Sequence, residues 1–169
     1  MLTHAVRATL SEDELVYVHR TVLVCGEIDE RVAQIALAKM LYLKSQDARA
    51  PVWLYLDSAG GNVGDVLAIC DLMGELVVHT HCLGAAHAMA LVCLAHGARG
   101  HRSASRTSRF IMPPLEPQRI SAHVDETITA TLARDAQQAA DVIVADRRAM
   151  TRFDVVAAQR YGLIDAIAE

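Results

Sequence analysis

Aromatic residues are scarce in this chain of 169 residues: they make up 4% of it, although 53% of the residues are hydrophobic. The core must therefore be aliphatic. No uninterrupted apolar run approaches the length of a bilayer-spanning helix, so a membrane protein is not expected. The opening stretch, residues 1–14, lacks the basic-then-apolar order of a signal peptide. We expect a short N-terminal segment, residues 1–15, followed by one domain over residues 16–169.

An excess of positive charge is also absent, since 16 basic residues face 20 acidic ones and the net charge is −4. Nucleic acid is therefore not an expected partner. The cysteines occur singly, and the absence of a CxxC pair argues against a zinc ribbon or a thioredoxin-type site. We expect them to be small buried residues of a protein in the reducing cytoplasm. They are Cys25, Cys70, Cys82 and Cys93.

Short apolar runs alternate with amphipathic stretches, which predicts an α/β fold of right-handed βαβ units. Residues 52–56 are apolar on both faces, which is typical of a central parallel strand. Residues 122–150 predict one long helix or two shorter ones. The other predicted strands are 16–25, 77–82 and 108–112, and the other predicted helices are 31–45, 63–76 and 84–98.

Four motifs follow one another along the chain: GEID, LYLDSAGGNVGDVLAICDLM, HTHCLGAAHAMALVCLAHG and YGLIDAI. In this order they resemble the proteolytic subunit of Clp protease, over roughly residues 16–168. The resemblance implies stacked βαβ units of the ClpP/crotonase type, a fold shared with enoyl-CoA hydratases. It also implies heptameric rings, stacked in pairs around a proteolytic chamber that an ATP-driven AAA+ unfoldase supplies.

The resemblance further implies a Ser-His-Asp triad and two backbone amides that bind the oxyanion. The family's serine motif, Gly-x-Ala-Ala-Ser-Met, reads GAAHAM here and places Ala88 in the position of the serine. Pro113 stands where the histidine is expected, and Asp146 matches the aspartate. The oxyanion amides would be those of Gly61 and Met89.

This pattern predicts a non-catalytic homologue, because a methyl group cannot attack a carbonyl and proline is neither a base nor a donor. Such a chain would form rings with itself or with an active paralogue and would modulate an ATP-dependent Clp protease. No cofactor is expected. One alternative is a stand-alone oligomeric scaffold that binds a peptide or acyl ligand in the cleft. Two others are a rewired hydrolase with His87 as base and an acyl-CoA enzyme of the hydratase type that uses Asp65.

Three histidines lie close together in the sequence. His79 and His81 are two residues apart on a predicted strand, so they share a face, and His87 follows shortly. A metal site needs three or four converging ligands. We expect no metal, with His79 and His81 facing solvent or the chamber, and keep a site at these three residues as the minor alternative.

Two further segments bear on assembly. The stretch between Pro113 and Asp146, which in the family forms the handle that joins ring to ring, is shorter here than the resemblance implies, and LEPQRIS, which contains no glycine, replaces its Gly-rich strand. These differences favour a single ring over a double ring. Trp53 and Tyr55 occupy a strand near which the family docks unfoldase loops, although core packing would equally explain two aromatic residues there.

Overall fold

A mostly parallel sheet organises the protein, as the alternating pattern predicts. The computed structural model describes residues 12–114 and 120–168, so the predicted segment 1–15 lies largely outside the described residues, and so does most of LEPQRIS. The strands are β1 (Thr21–Ile28), β2 (Val52–Gly61), β3 (Val78–His87), β4 (Arg102–Ala104), β5 (Arg109–Ile111), β6 (Arg152–Asp154) and β7 (Ala166–Ile167). The helices are α1 (Glu12–Tyr17), α2 (Glu30–Gln46), α3 (Val63–Met73), α4 (Met89–Ala95), α5 (Ala122–Ala136), α6 (Ala140–Ala149) and α7 (Val155–Tyr161).

The central strand of the sheet is β3. The order β1-β2-β3-β4-β7 is parallel throughout, and β5 and β6 lie off this path. Strand β3 pairs with β4 through residues 80–82 and then with β5 through residues 85–87. Strand β6 pairs with β5 in the antiparallel direction. The carboxyl ends of β2 and β3 therefore lie side by side, and both lead directly into helices.

The aliphatic core predicted from the composition is confirmed. Ile28, Leu54, Leu56 and Leu91 are fully buried, and every residue of α4 is buried. A helix that is apolar on all sides has to be buried. Among the described residues, no helix is both long and apolar enough to cross a membrane.

The predicted strand 16–25 is wrong at both ends. Val16 and Tyr17 belong to α1, and the strand begins only after Arg20, which has a positive φ of 50°. The Arg20 guanidinium donates hydrogen bonds to four backbone carbonyls, one in the last turn of α2 and three in the loop that follows it. These bonds fix the turn. At its other end β1 continues through a bulge at Gly26 to Ile28.

Strands β2 and β3 extend beyond their predicted ends at residues 56 and 82. The segment expected to begin a helix at residue 84 continues the strand, because residues 85–87 pair with β5. Helix α4 therefore starts at Met89. Residues 122–150 form two helices, the second of the two options. Strands β4, β6 and β7 were not predicted, because two or three residues are too few to show an alternating pattern.

Candidate functional site

Four of the five residues that the resemblance assigns to the site line one cleft. Ala88, Pro113, Gly61 and Met89 surround a cavity of about 490 Å³ where the ends of β2 and β3 meet α5. Asp146 is not among its lining residues. Most of the remaining wall is apolar and comprises Val63, Leu67, Pro114, Ile120, Val124 and Ile128.

Ala88 lies at a sharp turn between β3 and α4. Its φ of 48° and ψ of −123° are strained for a residue with a side chain, at a cost of roughly 1–3 kcal/mol. The turn is held by the Ala88 amide, which donates to the Ile111 carbonyl at 2.9 Å. Several hydrolases use a strained strand-to-helix turn to present a nucleophile above a sheet. Here the same type of turn presents a methyl group.

Two glycines at the end of β2 allow the backbone to approach this turn closely. Gly60 has a φ of +110°, and a Cβ there would lie 3.1 Å from both the Ala88 Cβ and the His87 carbonyl oxygen. A Cβ on Gly61 would lie 2.1 Å from the Ile28 carbonyl oxygen, which no side chain could tolerate. Gly61 and Met89, the predicted oxyanion donors, therefore sit on adjacent segments of the cleft wall. Their role as donors stays a prediction.

Pro113 is held in the cleft wall by a buried arginine. Arg147 is fully buried, and its guanidinium donates to the carbonyls of Pro113 (3.3 Å) and Pro114 (3.0 Å). It also forms an ion pair of 2.6 Å with Asp125 and a hydrogen bond of 2.6 Å with the Thr129 hydroxyl. A single side chain thus connects α5, α6 and the Pro113–Pro114 segment. The sequence analysis did not identify this arginine, because nothing in its local pattern distinguishes it from a surface residue.

Asp146 is engaged by groups other than an imidazole. Its Oδ1 accepts from the Thr151 hydroxyl at 2.7 Å, and its Oδ2 accepts from the Tyr161 hydroxyl at 2.5 Å. Burial, and then the hydrogen bond and charge of Asp146, raise the pKa of Tyr161 well above its usual value. The carboxylate therefore connects α6 to Thr151, which immediately precedes β6, and to Tyr161 at the end of α7.

His87 is the last residue of β3, and it is not among the residues that line the cleft. Its imidazole is partly buried, and its Nε2 lacks a hydrogen-bond partner within the described residues. Burial, and then the charge of Arg152, lower its pKa, while Asp57 acts in the opposite direction. The role of His87 as the base of a rewired hydrolase stays a prediction.

The other two histidines are engaged in side-chain contacts of their own. His79 stacks on His101 with ring centroids 4.0 Å apart and meets Trp53 edge-on at 4.8 Å. His81 is within 2.8 Å of the Ser103 hydroxyl. In residues 12–114 and 120–168, no three His, Cys, Asp or Glu side chains form a group that could hold a metal ion.

A second cavity, of about 530 Å³, lies beside β1 and β2. Trp53 is 38% exposed and Tyr55 is half-buried, so neither is a core residue. Both line this cavity. The rest of its lining comprises Leu15, His19, Thr21, Leu23 and Leu83.

Three of the four cysteines are buried, as expected, but Cys25 is exposed. The expectation for Cys25 is wrong because it occupies the outward-facing position next to the bulge of β1. Burial is the main cause that raises the pKa of Cys82 to about 11. A buried thiol of this kind is unreactive.

Comparison with known proteins agrees with this architecture. A family model described as Clp protease matches residues 7–169. The chain belongs to the Clp protease family. It is 33% identical over 165 residues to a chloroplastic protein of Arabidopsis thaliana, the ATP-dependent Clp protease proteolytic subunit-related protein 2. The match covers 89% of this chain and 59% of that relative, so the chain spans about three fifths of the relative's length. The resemblance seen in the motifs is thereby confirmed, and so is the α/β fold of the Clp type.

The Arg147 network makes a prediction about stability. Arg147→Met should lower the free energy of unfolding by roughly 3–5 kcal/mol, because it leaves Asp125 and two proline carbonyls without their buried donor. Urea unfolding followed by circular dichroism measures the change. Arg148→Met, at the exposed neighbouring position, is the matched control and should change the stability little. Equal losses in the two variants would contradict this account of Arg147.

Partly buried histidines make a second prediction, about pH. Burial is the main cause that lowers the pKa values of His79, His81 and His87 below the ordinary 6.5. The folded state then binds fewer protons than the unfolded state, so stability should decrease as the pH falls below about 6.5. Urea midpoints between about pH 7.5 and about pH 5.5 test this. His81→Gln should reduce the decrease, whereas the exposed His123→Gln should leave it unchanged; the reverse result would refute the assignment.

Proposed function

We propose that this chain is a non-catalytic homologue of the Clp proteolytic subunit that joins heptamer-type rings and modulates an ATP-dependent Clp protease. The observation that carries the proposal is the strained turn at Ala88, which keeps the form of a nucleophile turn without a nucleophile. A chain that had drifted to an unrelated role would have no reason to keep a costly backbone conformation there.

The cleft chemistry supports the absence of proteolysis. Acyl transfer needs a nucleophilic atom and a base within hydrogen-bond reach of it. The cleft offers the Ala88 methyl group and the Pro113 ring at the corresponding positions, and both oxygens of Asp146 are engaged elsewhere. Two backbone amides at Gly61 and Met89 would still suit a carbonyl oxygen. The proposed cleft binds without cleaving.

Features of the surface support assembly into a ring. Several large apolar side chains on α1 and α2 are exposed, and Tyr17 packs edge-on against Tyr42 with centroids 5.0 Å apart. Ile35 and Leu41 are 42% and 52% exposed. Contiguous exposed apolar side chains mark protein interfaces, and Tyr17 and Tyr42 are in contact with each other on this surface. In this proposal they contact neighbouring subunits, either further copies of this chain or an active paralogue.

The cavity lined by Trp53 and Tyr55 supports a second contact. Aromatic side chains around a concave apolar site are typical anchors for a partner's loop. In this proposal the partner is an AAA+ unfoldase that docks at this cavity. The free thiols support a reducing compartment, which we propose to be the cytoplasm.

Restoring the missing groups tests the proposed loss of catalysis. The wild-type chain and Ala88→Ser should not react with a fluorophosphonate probe, since both have proline at position 113, where the triad histidine is expected. Ala88→Ser combined with Pro113→His should gain measurable labelling, because the strained turn is already in place. Labelling of the wild-type chain would refute the proposal. If Ser121→Ala then removed that labelling, the hydroxyl in the cleft wall would be the nucleophile of a rewired hydrolase.

Native mass spectrometry tests the proposed assembly. The tagged chain is isolated from its host, and the intact complex is weighed. We expect a ring that contains this chain together with a paralogue that has both the serine and the histidine. Multiples of this chain alone would favour the second candidate, a stand-alone scaffold, which the apolar lining of the 490 Å³ cleft supports.

A further inference from the structure

Two histidine rings stack against each other across strands β3 and β4. His79 lies on β3 and His101 directly precedes β4, and their rings are nearly parallel, with 4° between the planes and 4.0 Å between the centroids. Backbone hydrogen bonds fix this position, because the Thr80 amide donates to the His101 carbonyl and the His101 amide donates to the Ala98 carbonyl. His79 is half-buried and His101 is exposed. We refer to these two residues as the histidine pair.

The histidine pair contacts one wall of the cavity beside β1 and β2. Trp53 is the register partner of His79 across β2 and β3, and the two rings meet edge-on with centroids 4.8 Å apart. Cross-strand contacts of this kind stabilise the positions of both side chains. Trp53 lines the cavity, whereas neither ring of the pair does. A change in the pair therefore reaches the cavity through Trp53.

The contacts of the histidine pair favour uncharged rings. The Nδ1 atom of His79 is buried and has no hydrogen-bond partner within the described part of the chain. A bare ring nitrogen tolerates this position, but an imidazolium carries an N–H on both nitrogens, and a buried N–H without an acceptor is costly. Two imidazolium rings at the distance of the stack also repel each other. Burial, and then the charge of His101, lower the pKa of His79, in agreement with both effects.

A proton gained by the histidine pair is not offset by an ion pair. In residues 12–114 and 120–168, no carboxylate forms a hydrogen bond or an ion pair with either ring. Asp165 accepts from the Gly100 amide, next to His101, but its carboxylate is paired with the Arg102 guanidinium. The other ionisable groups beside these rings, in the cavity lining or close to His101 in the chain are Tyr55, His81, His19 and Arg99. None of these four is negatively charged at neutral pH.

His81 provides a comparison on the same face of β3. Its ring nitrogens lie 2.8 Å from the Ser103 hydroxyl and 3.3 Å from the Ser105 hydroxyl. Hydroxyl oxygens accept from an N–H, so an imidazolium at this position keeps both of its hydrogen bonds. Of these two histidines, His79 is therefore the one whose contacts do not survive protonation.

We propose that the histidine pair is a pH-sensitive support for the cavity: the neutral rings hold Trp53 in the cavity wall, and protonation separates the rings and releases Trp53. Each ring takes up one proton from water, and the change is reversible. Because a fixed aromatic side chain is a typical anchor for a partner, its release weakens docking as the pH falls. The inference rests on the proposed function in taking this cavity as the place where an AAA+ unfoldase docks.

The indole of Trp53 reports on this change, because Trp53 is the only tryptophan of the chain. The full chain is prepared with fluorotryptophan, and its single fluorine NMR resonance is followed from about pH 7.5 to about pH 5.5. We expect one transition with a midpoint below about 6.5. Acrylamide quenching of Trp53 fluorescence in the unlabelled chain should rise roughly twofold over the same range, because only 38% of Trp53 is exposed before its release.

Three variants separate the histidine pair from other groups. His79→Phe keeps a flat ring but takes up no proton, so both signals should stay constant with pH. His101→Gln removes the second charge, so the midpoint should move to higher pH. His81→Gln is the matched control and should keep the wild-type midpoint.

Three results would each overturn the proposal: no transition in the wild-type chain, a transition that persists in His79→Phe, or a fluorine shift without a change in quenching. The last would mean that the rings titrate without releasing Trp53. Circular dichroism over the same pH range distinguishes the local change from unfolding. If His79→Phe fails to fold, the midpoint of His101→Gln, a variant at the exposed ring, carries the test.

A wash of the isolated complex tests the effect on docking. Unfoldase that the tagged chain retains at about pH 7.5 should be released at about pH 5.5, whereas His79→Phe should retain it at both. Retention by the wild-type chain at both pH values would overturn the effect on docking. A complex without unfoldase at either pH contradicts the proposed function instead, and the two Trp53 signals still decide the inference.

Discussion

The close approach of the Gly60–Gly61 segment to the Ala88 turn is the constraint on which the cleft depends. Parallel pairing of β2 with β3 brings their carboxyl ends to the same edge of the sheet. A side chain at Gly61 would collide with the Ile28 carbonyl, and one at Gly60 would press on the Ala88 methyl group. These contacts fix the backbone on both sides of the cleft.

The opposite wall of the cleft depends on a different kind of interaction. The buried guanidinium of Arg147 satisfies main-chain carbonyls at Pro113 and Pro114 and pairs with Asp125. A buried charge is tolerated only where its donors are matched in this way. The proline pair and the arginine together make a rigid wall in the place where the resemblance expects a titratable side chain.

Much of the fold could be predicted from the sequence because its strongest signals are local. The amphipathic pattern of α2 and its cap at Asp29 are contained within the helix, and the structure has both. The predicted ends of β2 and β3 lie several residues before the observed ones, since small residues such as Gly84 and Ala85 have no strand preference of their own. They are extended because a partner strand lies beside them, and β5 comes from a distant part of the chain.

The sequence by itself determined the family, the aliphatic core and the identity of the residues at positions 88, 113 and 146, since motif order and residue type need no third dimension. Tertiary structure decided what each of those residues touches. It placed Ala88 and Pro113 in one cleft, directed the Asp146 carboxylate to Thr151 and Tyr161, and left Cys25 exposed. Hydrogen bonds and burial between residues far apart in the chain depend on how the sheet and helices pack, and no local pattern records them.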